Sequence, residues 1–157
     1  MGETMKKVSK KQLNFALLIG WMILIFYFSS QIGEVSSEKS KIVIYMFNVL
    51  GLDLNTYFGN IATLIVRKMA HFTEYFILFI LTYNVVKYYF KKGKLFFVSY
   101  IITVSYAMTD EFHQLFVPGR AGALKDVLID STGGLFGILI VIIFIKIKKR
   151  MNLANTN

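Results

Sequence analysis

The strongest constraint on the fold of this chain is a series of four apolar runs, each with lysine or arginine clustered at one end. The clearest run has no charged residue between positions 131 and 145 and is followed by Lys146, Lys148, Lys149 and Arg150. A helix needs about 20 mostly apolar residues to cross a bilayer, and basic residues collect at its cytoplasmic end. Because 55% of the 157 residues are hydrophobic, the composition also favours one helical membrane domain over a soluble one.

These runs predict an all-α membrane protein, a four-transmembrane-helix bundle with spans at about 13–28, 61–90, 95–116 and 127–147. In this interpretation residues 13–147 form the transmembrane domain, between a basic cytoplasmic head at 1–12 and a cytoplasmic tail at 148–157. The first run has the basic start of a signal peptide, but no small-x-small cleavage site follows it. We therefore interpret it as a retained span.

The segment between the first two spans is mixed in character. Its apolar part, residues 42–54, is too short to cross a bilayer and is interrupted by Asn48, Gly51 and Asp53. We expect an interfacial or re-entrant helix in the first extracytoplasmic loop, in preference to a fifth span.

The distribution of charge predicts the orientation. The head, the turn at 87–94 and the tail hold twelve of the eighteen Lys and Arg residues but one of the nine acids. By the positive-inside rule, both termini and that turn lie in the cytoplasm. Because the basic residues flank apolar runs, the net charge of +9 does not indicate a nucleic-acid partner. The sequence contains no cysteine, which excludes disulfide bonds and thiolate metal sites.

Three ionisable residues are predicted to lie at one depth in the membrane. His71, Asp110 and Asp130 are each sixteen positions from the lysine that ends their span on the cytoplasmic side. At about 1.5 Å per residue, each lies roughly 24 Å above the inner boundary of a core about 30 Å thick. The sequence therefore predicts a polar layer within the outer leaflet, where every ionisable group needs a partner or a function.

Helical phase adds further polar residues to this layer. One face of the second span carries Arg67, Lys68, His71, Glu74 and Tyr75. One face of the third span carries Tyr106, Asp110, His113 and Gln114, and Glu111 points about 100° away from it.

The fourth span combines acids with small residues on one face. Asp126 and Asp130 align with Gly133 and Gly137, and the two acids also lie in the first turns of the helix, where its dipole favours anions. The small-x-x-x-small spacing of the two glycines lets another helix approach closely. We therefore expect these carboxylates at a helix–helix interface.

These residues also resemble those of a known family, the VanZ-like membrane proteins. The matching stretches are FYFSSQ at 26–31, RKMAHFTEYF at 67–76, Tyr106 with DEFHQ at 110–114, FVPGR at 116–120, and Asp126, Asp130, Gly134 and Gly137. Order and spacing are kept over about residues 26–137. The family's name-giving member is associated with low-level teicoplanin resistance in Gram-positive bacteria. The resemblance implies an envelope role at the outer face of a bacterial plasma membrane, and it carries over no catalytic role.

Three kinds of function and one purely structural role remain open for the polar layer. In an enzyme acting on a lipid-phosphate head group, Asp110 and His71 would be the acid/base pair, or Glu74 and Asp130 in their place. A binding protein would recognise the head group without turnover, and a small transporter is a third, less favoured possibility. In a structural network, Arg67 or a neighbouring lysine would neutralise Glu74, and His71 would hydrogen-bond Asp110.

The cations of this layer suit the phosphate of a lipid head group. Arg67 and Arg120 can make bidentate contacts with phosphate, whereas Lys125 is more simply explained by contact with anionic phospholipid. We expect as partners the lipid bilayer and a lipid-linked cell-wall precursor or an anionic lipid head group. The predicted ligand-binding residues are Arg67, Lys68, Tyr75, Tyr106, Glu111, His113, Gln114, Arg120 and Asp126.

A cofactor is not expected from the sequence, although a divalent metal ion is an alternative. Two histidines and several carboxylates at one level would suit Zn²⁺ or Mn²⁺, and Asp110, His113 and Gln114 could supply ligands. Against this, no compact ligand motif such as HExxH is present, and the five nearby cations would repel a metal ion.

Overall fold

The structure, a computed structural model, describes residues 9–154, and over this range it contains helices and no strands. Two helices, Lys10–Ser29 and Leu124–Leu153, are long and apolar enough to cross a membrane by length and composition. The helices are α1 (Lys10–Ser29), α2 (Gly33–Val49), α3 (Leu54–Phe58) with a 3₁₀ turn at Gly59–Ile61, α4 (Ala62–Val86), α5 (Lys92–Gln114) and α6 (Leu124–Ala154).

The first helix begins at a capping box. The Gln12 N–H donates to Ser9 Oγ at 3.2 Å, and the Ser9 N–H donates to Gln12 Oε1 at 2.9 Å. These bonds satisfy two backbone donors that a helix start leaves open, so α1 begins at Lys10, before the predicted span. Residues 1–8 of the predicted basic head lie outside the described residues.

Helix α4 is the central element, with α1, α2, α5 and α6 packed around it. Its Tyr75 and Leu78 are fully buried and form the core with Ile25 of α1, Ala107 of α5 and Val127 of α6. The outer faces of α1 and α6 keep large apolar side chains exposed, including Ile23, Leu128 and Phe144.

The glycines of α6 allow it to pack directly against α4. A Cβ added at Gly133 would lie 2.3 Å from the Phe72 carbonyl oxygen, and one at Gly137 would lie 2.5 Å from Phe79 Cδ1. The predicted close helix–helix approach at Gly133 and Gly137 is therefore confirmed. Contacts advance along both helices in the same direction, so α4 and α6 are parallel.

The helix in the predicted outer loop is longer than its apolar segment suggested. α2 begins at Gly33 and includes residues 34–41, four of which are charged. The only buried residue among them is Ser40, so this part of the helix has no apolar pattern in the sequence. Gly33 also meets the loop after α5: its N–H donates to the Pro118 carbonyl at 3.1 Å, and a Cβ there would lie 1.9 Å from Gly119 O.

Two other helix ends differ from the predicted spans. α4 ends at Val86, four residues early, because the chain turns at Tyr88–Tyr89 with backbone bonds back to Val85 and Val86. α6 continues to Ala154, well into the predicted tail, and residues 155–157 lie outside the described part of the chain.

Candidate functional site

The interface between α4 and α6 carries paired polar residues at the end where α6 begins. Lys68 forms an ion pair with Asp126, and His71 Nδ1 lies 3.4 Å from Asp130 Oδ1. The close contact between Gly133 and Phe72 comes next along both helices. The short distance between the helix backbones therefore places these polar side chains close together. Asp130 is fully buried.

Helix α5 adds two carboxylates that are joined by one amide. Gln114 Nε2 donates to Asp110 Oδ2 at 3.2 Å and to Glu111 Oε1 at 3.4 Å, and all three side chains are buried. Glu111 Oε2 also accepts the Ala123 N–H at 3.0 Å, just before α6 begins. The amide of Gln114 thus holds two like charges in place.

His71, Glu111 and Asp130 come together from three different helices. One ligand atom from each, a ring nitrogen or a carboxylate oxygen, lies within 4.8 Å of the other two. These are the residues that could hold a metal ion, and the set differs from the Asp110, His113 and Gln114 that the sequence suggested.

Several buried polar atoms of this cluster form no hydrogen bond within residues 9–154. They are both carboxylate oxygens of Asp130, Asp110 Oδ1, His71 Nδ1 and the Tyr75 hydroxyl. His71 Nδ1 and Asp130 Oδ1 are close enough to form an ion pair when the imidazole is protonated. Buried polar groups are rarely left unpaired, and exceptions concentrate where a ligand or an ion binds.

Arg120 is held by the end of α1. Its Nε donates to the Gln31 carbonyl at 3.0 Å, and its Nη2 donates to the Phe28 carbonyl at 3.2 Å. Burial lowers the pKa of Arg120 below its ordinary value, and the nearby Arg67 acts in the same direction. An anion placed near the two guanidinium groups would offset this repulsion.

Arg67 is half-buried and forms no ion pair or hydrogen bond with any residue that the structure describes. It lies on the wall of two cavities, one of about 250 Å³ and one of about 290 Å³. Both cavities also touch His71 and Arg120. Asp110 and Glu74 line the first cavity, and Asp126 lines the second.

Two predicted ligand-binding residues lie against α1 instead of these cavities. The Tyr106 hydroxyl donates to the Met22 carbonyl at 2.6 Å. The His113 ring packs on Phe26 with ring centres 4.7 Å apart. Both residues therefore contribute to the contact between α5 and α1.

The pairings within the cluster also differ from the predicted structural network. Lys68 neutralises Asp126 and not Glu74, and His71 lies beside Asp130, with no hydrogen bond to Asp110. Glu111 was predicted to point away from the polar face, yet it is buried and meets His71 and Asp130. It does so because α5 is bordered by both α4 and α6, so two of its faces are interior.

The sequence interpretation missed the contribution of α2. Ser36, Lys39 and Ser40 line the 250 Å³ cavity together with Gln31 and Phe28 at the end of α1. Ser36 and Ser40 are one helical turn apart, and Ser37 beside them is partly buried. This spacing could have indicated that one face of α2 contributes polar side chains to the site.

The fold and this cluster define a class of protein: an all-helical membrane protein with buried ionisable groups at one end of its bundle. The VanZ/LLP1 family model matches residues 14–145, most of the chain, and the protein belongs to this family. The chain matches no curated protein and no solved structure.

Proposed function

We propose that the chain crosses the bacterial plasma membrane four times, through α1, α4, α5 and α6, with both termini in the cytoplasm. With 25 and 23 residues, α4 and α5 extend about 35 Å, enough for a hydrocarbon core of about 30 Å. Their ionisable residues face neighbouring helices, which is where charged groups occur inside membranes. The parallel packing of α4 and α6 agrees with two spans that cross in the same direction.

The site we propose receives the phosphate-bearing head group of a lipid from the outer leaflet. The observation that carries this proposal is Arg67, a half-buried guanidinium without a partner in the described chain, on a wall shared by two cavities. Arg67 is thus available for bidentate contact with phosphate, whereas Lys68 is already paired and Arg120 is largely engaged.

An adjoining apolar cavity favours a lipid over free phosphate. It has a volume of about 520 Å³, lies between α2 and α4, and is lined by residues such as Phe47, Phe58 and Met69. It shares Val66 and Glu74 with the 250 Å³ cavity. A head group beside Arg67 could therefore extend its hydrocarbon chain along α4 into apolar surroundings.

In the cell, the protein would bind a lipid-linked cell-wall component at this site and either act on it or shield it. This would lower the effect of teicoplanin and related lipoglycopeptides. The lipid part of the proposal rests on the cavities, and the antibiotic part rests on the family. A transporter is less favoured because four spans in one chain leave little room for alternating access.

An enzyme acting on the same head group is the second candidate function. Asp110, Asp130, His71 and Glu74 lie around or beside the 250 Å³ cavity, and carboxylate oxygens of both aspartates lack partners within residues 9–154. Such carboxylates are available for proton transfer. Asp110→Asn distinguishes the two functions, because it removes an acid/base group and preserves the size of the side chain.

The test is antibiotic susceptibility in a sensitive Gram-positive host that expresses the wild type, Arg67→Gln, Asp110→Asn or Lys125→Gln. Lys125 is exposed and lines none of the three cavities, so its variant is the matched control for a lost positive charge. We expect the wild type and Lys125→Gln to protect against teicoplanin and Arg67→Gln to fail at equal membrane abundance. Protection by Arg67→Gln would overturn the proposed site. Loss of protection in Asp110→Asn as well as in Arg67→Gln would favour the enzyme, and protection by Asp110→Asn would favour a binding protein.

A further inference from the structure

The cluster of His71, Glu111 and Asp130 has the composition of a metal site. We propose that these three side chains bind one divalent transition-metal ion at the buried end of the cavities. One imidazole nitrogen and two carboxylate oxygens, with no thiolate, suit Zn²⁺ or Mn²⁺. The role of this ion in head-group binding rests on the proposed function, and its binding does not.

The distances agree with a site that needs little adjustment. Two ligand atoms bound at about 2.1 Å in tetrahedral geometry lie roughly 3.4 Å apart. His71 Nδ1 and Asp130 Oδ1 are 3.4 Å apart, and all three ligand atoms lie within 4.8 Å of one another. The separation of the ligand atoms exceeds the ideal by at most about 1.4 Å, which small adjustments shared by the three side chains can close. Three protein ligands also leave a coordination position for a phosphate oxygen or water.

The unpaired atoms are an independent indication of a bound cation. Asp130 is fully buried, and neither of its oxygens accepts a hydrogen bond from any residue between 9 and 154. His71 Nδ1, which lies 3.4 Å from Asp130 Oδ1, is also buried and forms no hydrogen bond in the described residues. A carboxylate removed from water is stabilised by a counter-charge, and a metal ion bound between a neutral His71 and Asp130 would supply it in place of a protonated imidazole.

The charge of the cluster leads to the same conclusion. Three of its side chains are cationic and are not exposed: Arg67, Lys68 and Arg120. Five are acidic and are not exposed: Glu74, Asp110, Glu111, Asp126 and Asp130. With neutral histidine the formal charge is therefore −2. A divalent ion would balance this formal charge and would lessen the repulsion between ionised carboxylates and a phosphate beside Arg67.

Neighbouring groups would orient one ligand of the ion. Glu111 receives the Ala123 N–H on one oxygen and the Gln114 amide on the other. Each carboxylate oxygen has two lone pairs, so Glu111 can bind metal without losing these bonds. Outer contacts of this kind fix ligand orientation and strengthen metal binding.

The test is the metal content of the purified full-length protein in nanodiscs, stripped with chelator and then incubated with Zn²⁺ or Mn²⁺. Elemental mass spectrometry should find about one ion per wild-type chain. Asp130→Asn and Glu111→Gln, which preserve side-chain size, should each lower the affinity by tenfold or more. His113→Ala removes the other histidine, whose ring lies on Phe26, and should retain the ion.

Cobalt substitution gives a second measurement that needs no variant. Co²⁺ bound by one nitrogen and two oxygens at an open site should show visible absorption bands that Zn²⁺ removes by competition. Helix content and a monodisperse elution profile would show that each variant is folded. The inference is overturned if the wild type binds far less than one ion per chain, or if Asp130→Asn and Glu111→Gln bind as tightly as the wild type.

Failure of the lipid role can be distinguished from failure of the metal site. Protein that binds one ion through the three residues but gives no antibiotic protection supports the metal site and contradicts the antibiotic part of the proposed function. Protein that protects through Arg67 without a stoichiometric ion contradicts the metal site alone.

Discussion

The two ends of the α4–α6 interface are built differently. At the end where α6 begins, the helices meet through an ion pair, the His71–Asp130 contact and a glycine that lies against the Phe72 backbone. At the other end, a groove of about 870 Å³ opens between the helices; it is lined by Ile140, Val141 and Phe144, with lysines along its edge. The comparison shows that small residues at Gly133 and Gly137 close the polar end.

Close packing of α4 against α6 explains why their charged residues are paired at one end of the interface and exposed at the other. Once glycine brings the two backbones together, water has little room, and the carboxylates must interact with the cations and the histidine of α4. At the wide end the lysines, Lys87, Lys148 and Lys149, are exposed and can remain solvated. The two glycines therefore determine where α4 and α6 bring their charged side chains together.

The largest expected effect comes from filling the glycine contact. Gly133→Ala places a methyl group against the Phe72 carbonyl, which is backbone and cannot move aside, so we expect a loss of stability of about 2–3 kcal/mol. Gly134→Ala is the matched control, because its Cβ would meet only side-chain atoms at 3.3–3.4 Å. Thermal unfolding followed by Trp21 fluorescence measures both. Equal stability of the two variants would show that the close approach does not hold the polar end together.

A smaller loss is expected when the ion pair is broken from one side. Asp126→Asn leaves Lys68 half-buried without its partner, and the side chains are 16% and 25% exposed, so we expect about 1–2 kcal/mol. The double variant Asp126→Asn with Lys68→Met removes both charges and should recover part of the loss. Additive losses in unfolding measurements would mean that the two residues do not interact.

Neutralising the buried aspartate should stabilise the metal-free protein. Asp130→Asn removes a buried charge whose two oxygens have no hydrogen-bond partner within residues 9–154, so we expect a gain of about 1 kcal/mol after chelation. If the proposed metal site exists, added Zn²⁺ should stabilise the wild type, and the same substitution should remove that stabilisation. Destabilisation in the chelated state would indicate that Asp130 has a structural partner.

The smallest effect on stability is expected at Arg67. Because it has no ion pair or hydrogen bond in the described chain, Arg67→Gln should change the free energy of unfolding by less than about 0.5 kcal/mol. Binding of a lipid phosphate should weaken by tenfold or more, since a charge-assisted bidentate contact is lost. Arg67→Lys keeps the charge and should recover only part of the affinity, which titration with a short-chain lipid phosphate in nanodiscs can measure.

Helix positions and the common level of the polar residues could be predicted because both depend on spacing along one helix. Runs of apolar residues located the helices, and sixteen-residue intervals placed His71, Asp110 and Asp130 near one another, as they are in the folded chain. The close approach of α6 also followed from its two glycines.

The partners of each residue could not be predicted, because helical phase gives a face and not the helix that covers it. Glu111 was predicted to point about 100° away from the polar face of α5, and helical phase alone did not show that α5 has α4 on one side and α6 on another. Arg120 was expected to be a free phosphate ligand, and its bonds to the end of α1 depend on a contact across about ninety positions of sequence. The sequence predicted too short a helix for α2, because the buried positions in its first half are Gly33 and Ser40, which are not large apolar residues.

The bonds from Arg120 to Phe28 and Gln31 also impose an order on biosynthesis. The carbonyl groups of Phe28, in the last turn of α1, and of Gln31, just after it, accept hydrogen bonds from Arg120. Arg120 is synthesised only after α2, α4 and α5. The hydrogen bond from the Gly33 N–H to the Pro118 carbonyl likewise forms only after Pro118 has been synthesised. Until the ribosome has passed Arg120, the Phe28 and Gln31 carbonyls lack these hydrogen bonds and the 250 Å³ cavity lacks one of its lining residues. The complete cavity can therefore form only after α5 and the loop that follows it have been synthesised.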